Sequence, residues 1–322
     1  MLRQVLDQPA YDFMRTNPDL KNVIFLAVSG SRAYGTSNDN SDLDLRGVAI
    51  EDMKYLLGLE TFEQFEERET DTVIYGLKKF VRLLINANPN TLELLGLDDD
   101  CIVHITDKGQ LLRDNVGLFL TKRAVSSFGN YALAQLRRLQ NALCHDSYSD
   151  AQQEKHLRNT LNAQLDNFRT HYTTFPSGAL NISTSENRGL ILDVELKDYP
   201  MVDFVGIYSE LTSIVKVYNK LNHRNNKKDD RSLYKHAMHL TRLLMTGIDI
   251  LNGKGIITKR RNEQALLLDI RNGKFPFEEV FKLADDYQAK FGEAAKHTKL
   301  PNEPDISVID DFLINMYQGT LA

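Results

Sequence analysis

The apolar run VIFLAV at residues 23–28 is short and rich in β-branched side chains, and it ends at Gly30. That pattern predicts a buried strand followed by a tight turn of small residues. LDLRGVAI at 43–50 has strand composition, and TVIY at 72–75 predicts a third strand that feeds a helix over 77–86. Asn88-Pro89 ends that helix, because a proline disfavours helical backbone in the residue before it. The start of the chain, through about residue 110, therefore reads as a small mixed sheet backed by helices.

Farther on, the period becomes helical. Leu157, Leu161, Leu165 and Phe168 form one stripe, and Phe204, Ile207, Leu211, Val215, Tyr218 and Leu221 form another. Leu233, Ala237, Leu240, Leu244, Ile248 and Leu251 predict a long helix with a stop at Asn252-Gly253. Two further helices are expected around 278–291 and 308–317. Residues 171–200 carry turn-forming residues around a short apolar run, LILDV, and read as a long connection or small insertion.

Composition narrows the class without naming a chemistry. The chain of 322 residues is 42% hydrophobic and 26% charged, which fits a packed globular protein of two domains and argues against disordered or coiled-coil classes. Cys101 and Cys144 are too few for a disulfide framework and lack zinc-site spacing, which fits a reducing cytoplasm. No run of 18 apolar residues occurs, so neither a membrane span nor membrane association is expected.

Charge changes the picture more, because a formal net charge of -5 conceals an uneven distribution. Residues 39–71 hold 11 acids and 3 bases, a net -8, and residues 216–261 hold 12 bases and 3 acids, a net +9. An acidic segment can gather divalent cations and a basic one phosphates, although most charge runs are solvated faces. Here each run also contains a spaced motif.

The first motif is SGSRAYGTSNDNSDLDLRG at residues 29–47. Side chains alternate along a strand, so Asp42 and Asp44 are expected on one face of the strand after the turn, with Leu43 turned into the core. Two adjacent carboxylates repel. Mg2+, which takes oxygens at about 2.0–2.1 Å from a few carboxylates and substrate phosphates, relieves that repulsion. Gly30 lets backbone approach a phosphate closely, and Ser31 offers a hydroxyl and an N–H to the same group. DxD alone is a weak signal; with GS on the preceding strand it reads as a nucleoside triphosphate and metal site. The chain carries no GxxxxGK[ST] loop and no GxGxxG fingerprint, and it shows no serine nucleophile with a paired histidine. The second motif is YKHAMHLTRLL at 234–244, where Lys235, His239 and Arg242 share a helix face offset from the leucine stripe. Its bland reading is a solvated face or an ion pair to one of the many carboxylates.

GS followed by DxD resembles the polymerase-beta nucleotidyltransferase superfamily, and GSRAYGTSNDNSDLDLRGV is similar to its bacterial and phage branch of RNA-repair-associated nucleotidyltransferases. ETDTVIYGLKKFV, NPNTLELL, YKHAMHLTRLL, NGKGI and LLLDIRNGKF look like the same branch, whereas residues 171–200 do not. The resemblance implies an α+β fold, with a polymerase-beta-like nucleotidyltransferase domain over 1–115 and a mainly helical domain over 116–322 that adds nucleotide and acceptor contacts. It further implies that Gly30 and Ser31, with Arg32 and Ser41, hold the triphosphate, and that Asp42 and Asp44 bind Mg2+, or Mn2+ in its place. A third acid on a neighbouring strand would complete the metal site. Asp71, at the head of TVIY, is the choice for it, and Glu69 is the alternative. By the same resemblance Lys235, His239 and Arg242 close over the triphosphate. Lys227 and Lys228, in the polar run NHRNNKKDDR, are expected to meet RNA. The implied activity is transfer of a nucleoside monophosphate from an NTP to a hydroxyl, an RNA 3′ end, with release of pyrophosphate. A protein or small-molecule hydroxyl is the alternative acceptor, and a catalytically inactive RNA- or nucleotide-binding sensor is the non-enzymatic alternative.

Overall fold

The structure is a computed structural model that describes residues 2–38, 41–147, 180–185, 189–195, 197, 208, 212 and 230–318. The sequence stripes over 157–168 and 204–221 lie almost wholly outside the described residues, as do Lys227 and Lys228. After short helical turns that include α1 (Phe13–Thr16), the chain forms β1 (Val23–Ser29) and a one-turn helix α2 (Gly30–Ala33). Next come β2 (Asp44–Ala49), α3 (Met53–Leu57), β3 (Gln64–Glu67), β4 (Thr72–Gly76), α4 (Leu77–Ile85), α5 (Pro89–Leu95), β5 (Ile102–Ile105), α6 (Asp107–Asp114) and α7 (Arg123–Ser147). A hairpin of β6 (Leu180–Ser185) and β7 (Gly189–Val194) falls where the sequence suggested a small insertion. The last helices are α8 (Asp230–Leu251), α9 (Gln264–Arg271), α10 (Phe277–His297) and α11 (Ile306–Tyr317).

Five strands make one mixed sheet in the order β3-β4-β2-β1-β5. β2 runs antiparallel to β1 and parallel to β4, so the strand that carries Asp44 has a neighbour on each side. Alternation along the strands divides the apolar residues between two covers. Phe25, Ala27, Val48 and Ile50 join a core that includes Leu77, Phe80 and Leu84 of α4, Leu240 and Leu244 of α8, and Tyr317 of α11. Leu26, Val28, Leu45, Ala49 and Ile74 face the other way, against Tyr11 and Leu20. Each Val, Leu, Ile or Phe among these, fully buried, contributes about 1.5–3 kcal/mol.

α8 keeps its expected stripe inside, and Leu233, Ala237, Leu240, Leu244 and Leu251 are all buried. It stops where the sequence indicated: Gly253 takes the left-handed conformation at φ 74°, and its N–H and that of Lys254 bond back to Ile250 O and Asp249 O. By its contacts the chain divides into a unit of Met1–Leu136 with Asp230–Ala322 and a unit of Arg137–Asp229. Within the first unit, the early sheet and the late helices share one core. Among the described residues, no helix is long and apolar enough to cross a membrane.

Candidate active site

The site begins where β1 hands over to α2. Register pairs Ser29 with Asp44, so the turn after β1 lies against the head of β2. Gly30 sits at φ 66°, and a Cβ there would stand 1.8 Å from Asp44 Oδ2, so any side chain at this position would have to push the Asp44 carboxylate aside. The connection from α2 to β2 is fastened at several points. Thr36 N–H donates to Ser31 O at 2.9 Å, and Arg32 donates to Ser41 O at 2.8 Å and to Asp42 O at 3.2 Å. Two side chains of α9 hold the same connection: Gln264 Nε2 donates to Gly35 O at 2.7 Å, and Arg271 donates to Thr36 O and, at 3.2 Å, to Ser41 Oγ. Arg32 and Ser41, read from the sequence as nucleotide contacts, are thus engaged in fixing this connection.

The acids are placed by strand pairing. β2 pairs in parallel with β4 from Leu45↔Thr72, and Leu45 N–H donates to Asp71 O at 3.2 Å, which brings Asp71 beside Asp44. Their carboxyl groups share a hydrogen bond. Burial, then that bond and the Asp71 charge, push Asp44 up to about 6, against the pull of Arg46 and Lys235. The bond from Asp44, helped by Arg46 and Lys235, holds Asp71 below the usual carboxylate range. Asp42 is exposed, in the segment just before β2. Glu69 is also exposed, in the turn between β3 and β4.

Among the described residues no group of three His, Cys, Asp or Glu side chains is gathered to hold a metal ion. Two carboxylates set side by side at the heads of neighbouring strands are nevertheless a donor set that fits a hard divalent cation, which would draw its remaining oxygens from water or substrate phosphate.

The basic helix divides in two. Lys235 is exposed and within electrostatic reach of both Asp44 and Asp71. Arg242, three residues past His239, turns inward: its side chain is 4% exposed, its Nη1 meets Glu93 Oε1 at 2.6 Å, and its guanidinium lies 3.7 Å from the Tyr34 ring centre. Tyr34 OH donates to Glu93 Oε2 at 2.8 Å, closing a buried triad that joins α8, α5 and the residue after α2. Arg242 thus spends its charge on Glu93 and presents none of it to solvent. His239 is partly buried; burial and then the neighbouring cations Arg242, Lys235, His236 and Arg271 lower it to about 3, so it is neutral near pH 7. Neither residue offers a phosphate a free cation in this arrangement.

Sequence reasoning passed over Arg46, Arg271, Glu93 and Tyr34. Arg46 follows Asp44 by two residues and so shares its strand face, a signal that was available in DLDLRG. Glu93 is an acid among apolar residues in NPNTLELL, the pattern of a buried ion pair, but nothing local names its partner.

No curated protein and no solved structure matches this chain. Residues 10–148 match the family model described as "RNA repair pathway DNA polymerase beta family". That span holds Gly30, Ser31, Asp42, Asp44, Asp71 and Glu93, and the match supports a polymerase-beta-like nucleotidyltransferase family for this part of the chain.

Proposed function

We propose that the protein transfers a nucleoside monophosphate from an NTP to the 3′ hydroxyl of an RNA. The observation that carries the reading is the Asp44–Asp71 pair, set against a glycine turn where a side chain would displace the Asp44 carboxylate. In the transfer, the acceptor oxygen bonds to the α-phosphorus. The bond from that phosphorus to the α–β bridging oxygen breaks, pyrophosphate leaves with the electron pair, and the acceptor proton passes to solvent. Gly30 and Ser31 bind the triphosphate, and the exposed Lys235 meets its charge from the helical side. Asp42, Asp44 and Asp71 would hold the divalent metal, with Asp71 in the role of the third acid. When bound, the metal acidifies the acceptor hydroxyl and neutralises charge on the departing phosphates. The buried triad of Tyr34, Glu93 and Arg242 serves the site from behind, by holding the residue that follows α2. RNA contact falls to the basic segment, Lys227 and Lys228 among it.

The test supplies each NTP separately with Mg2+ and total cellular RNA, then reads pyrophosphate release and the sequence of RNA 3′ ends. One nucleotide added to a defined RNA class, lost in Asp44→Asn, supports the reading. Pyrophosphate release without 3′ addition moves the acceptor to a protein or small-molecule hydroxyl. NTP binding with no turnover under any acceptor leaves the sensor.

A further inference from the structure

Asp71 is poorly held by packing. It lies at the end of the β3–β4 turn, its side chain is 54% exposed, and its backbone takes the left-handed conformation at φ 44°, which few residues other than glycine, asparagine and aspartate adopt. Something other than burial must fix its carboxylate. Arg46, on the strand face that also carries Asp44, bonds Asp71 twice: Nη2 meets Oδ1 at 2.9 Å, and Nη1 donates to the main-chain oxygen of the same residue. Nη1 also donates to Leu45 O at 2.9 Å, which ties the guanidinium to its own strand. A planar fork with fixed donors can span a residue's carbonyl and carboxylate together, which an ammonium cannot.

We infer that Arg46 is a positioning residue that clamps Asp71 by main chain and side chain, and so sets its carboxylate beside Asp44. This rests on the reading of Asp44 and Asp71 as a metal-holding pair. A partner that orients a ligand sustains metal affinity, and its loss typically costs 10–100-fold. The sign separates orientation from charge. A cation 2.9 Å from a metal ligand repels the metal, so if Arg46 acted by charge alone its removal would tighten binding.

The experiment titrates Mn2+ alone, followed by electron paramagnetic resonance, into the full chain and into Arg46→Ala, Arg46→Lys, Asp71→Asn and Arg46→Ala/Asp71→Asn. Arg46→Ala is expected to weaken Mn2+ binding 10–100-fold, Arg46→Lys to recover little of it, and the double variant to bind no more weakly than Asp71→Asn. With NTP and acceptor, Arg46→Ala should lower kcat while the KM for NTP stays within about twofold, a split that general destabilisation would not produce. Mn2+ binding that is unchanged or tighter in Arg46→Ala, or fully restored by Arg46→Lys, while Asp71→Asn still weakens it, overturns this inference alone. Mn2+ binding indifferent to both Asp71→Asn and Asp44→Asn overturns the metal reading and the inference with it.

Discussion

At the scale of single residues, the site depends on close approach of Gly30 to Asp44 and of Asp44 to Asp71. Gly30→Ala places a methyl 1.8 Å from Asp44 Oδ2 and asks for φ 66° from a residue with a side chain. The backbone term alone is about 1–2 kcal/mol, so a fall of several degrees in Tm is expected. Turnover should drop by more than about 100-fold, because the displaced carboxylate is one of the proposed ligands. Calorimetry and pyrophosphate release read the two effects separately, and wild-type values in both would remove Gly30 from the site. Asp44 supplies a pH dependence with a definite sign. Its folded value near 6 is above the unfolded carboxylate value of about 4, so its contribution to stability is full below pH 4 and is lost as pH rises through about 6. Asp71 is depressed, so its contribution is present above about 4 and is lost only on acidification below that. The two windows do not overlap. Metal-free protein should therefore lose thermal stability between about pH 4 and 6, and Asp44→Asn should flatten that slope; an unchanged slope in the variant would assign it to other groups.

At the scale of elements, the one-turn helix α2 owes its placement to neighbours rather than to its own length. Four residues give too few hydrogen bonds to stand alone, and the triad of Tyr34, Glu93 and Arg242 fixes its end from α5 and α8. Glu93 and Arg242 are 2% and 4% exposed, so Glu93→Ala leaves a buried guanidinium without its partner and should cost about 3–5 kcal/mol. Removing both charges together, as Glu93→Leu/Arg242→Leu, should recover much of that loss. Urea unfolding of the two single variants and the double variant measures the coupling, and additive losses would show that the pair acts independently. The element was legible in NPNTLELL and YKHAMHLTRLL only as two helices. Which carboxylate Arg242 meets depends on packing between segments 149 residues apart.

At the scale of the whole molecule, the early sheet is not complete without the late helices. Leu240, Leu244 and Phe291 lie in the same core as Phe25 and Leu77, and Tyr317 OH donates to the buried Glu51 at 2.5 Å. A fragment of residues 1–136 exposes that apolar face and leaves Glu51 without this partner. It should show no cooperative thermal transition, whereas the full chain should; a sharp transition in the fragment would make the sheet an independent folding unit.

The sequence by itself determined the local outcomes here. Strands at 23–29, 44–49 and 72–76 and the helix stop at Gly253 follow from alternation, period and turn chemistry, which neighbouring residues impose through backbone geometry. It also determined the chemistry on offer, glycine and serine followed by carboxylates at 42, 44 and 71. The tertiary structure alone decided which of these meet. The parallel register of β2 with β4 set Asp71 beside Asp44, the start of β2 at Asp44 left Asp42 outside the strand, and the buried charge of Glu93 drew Arg242 inward. Register and burial are properties of residues far apart in the chain, and a buried charge takes whichever partner packing brings to it, so no local pattern encodes either choice.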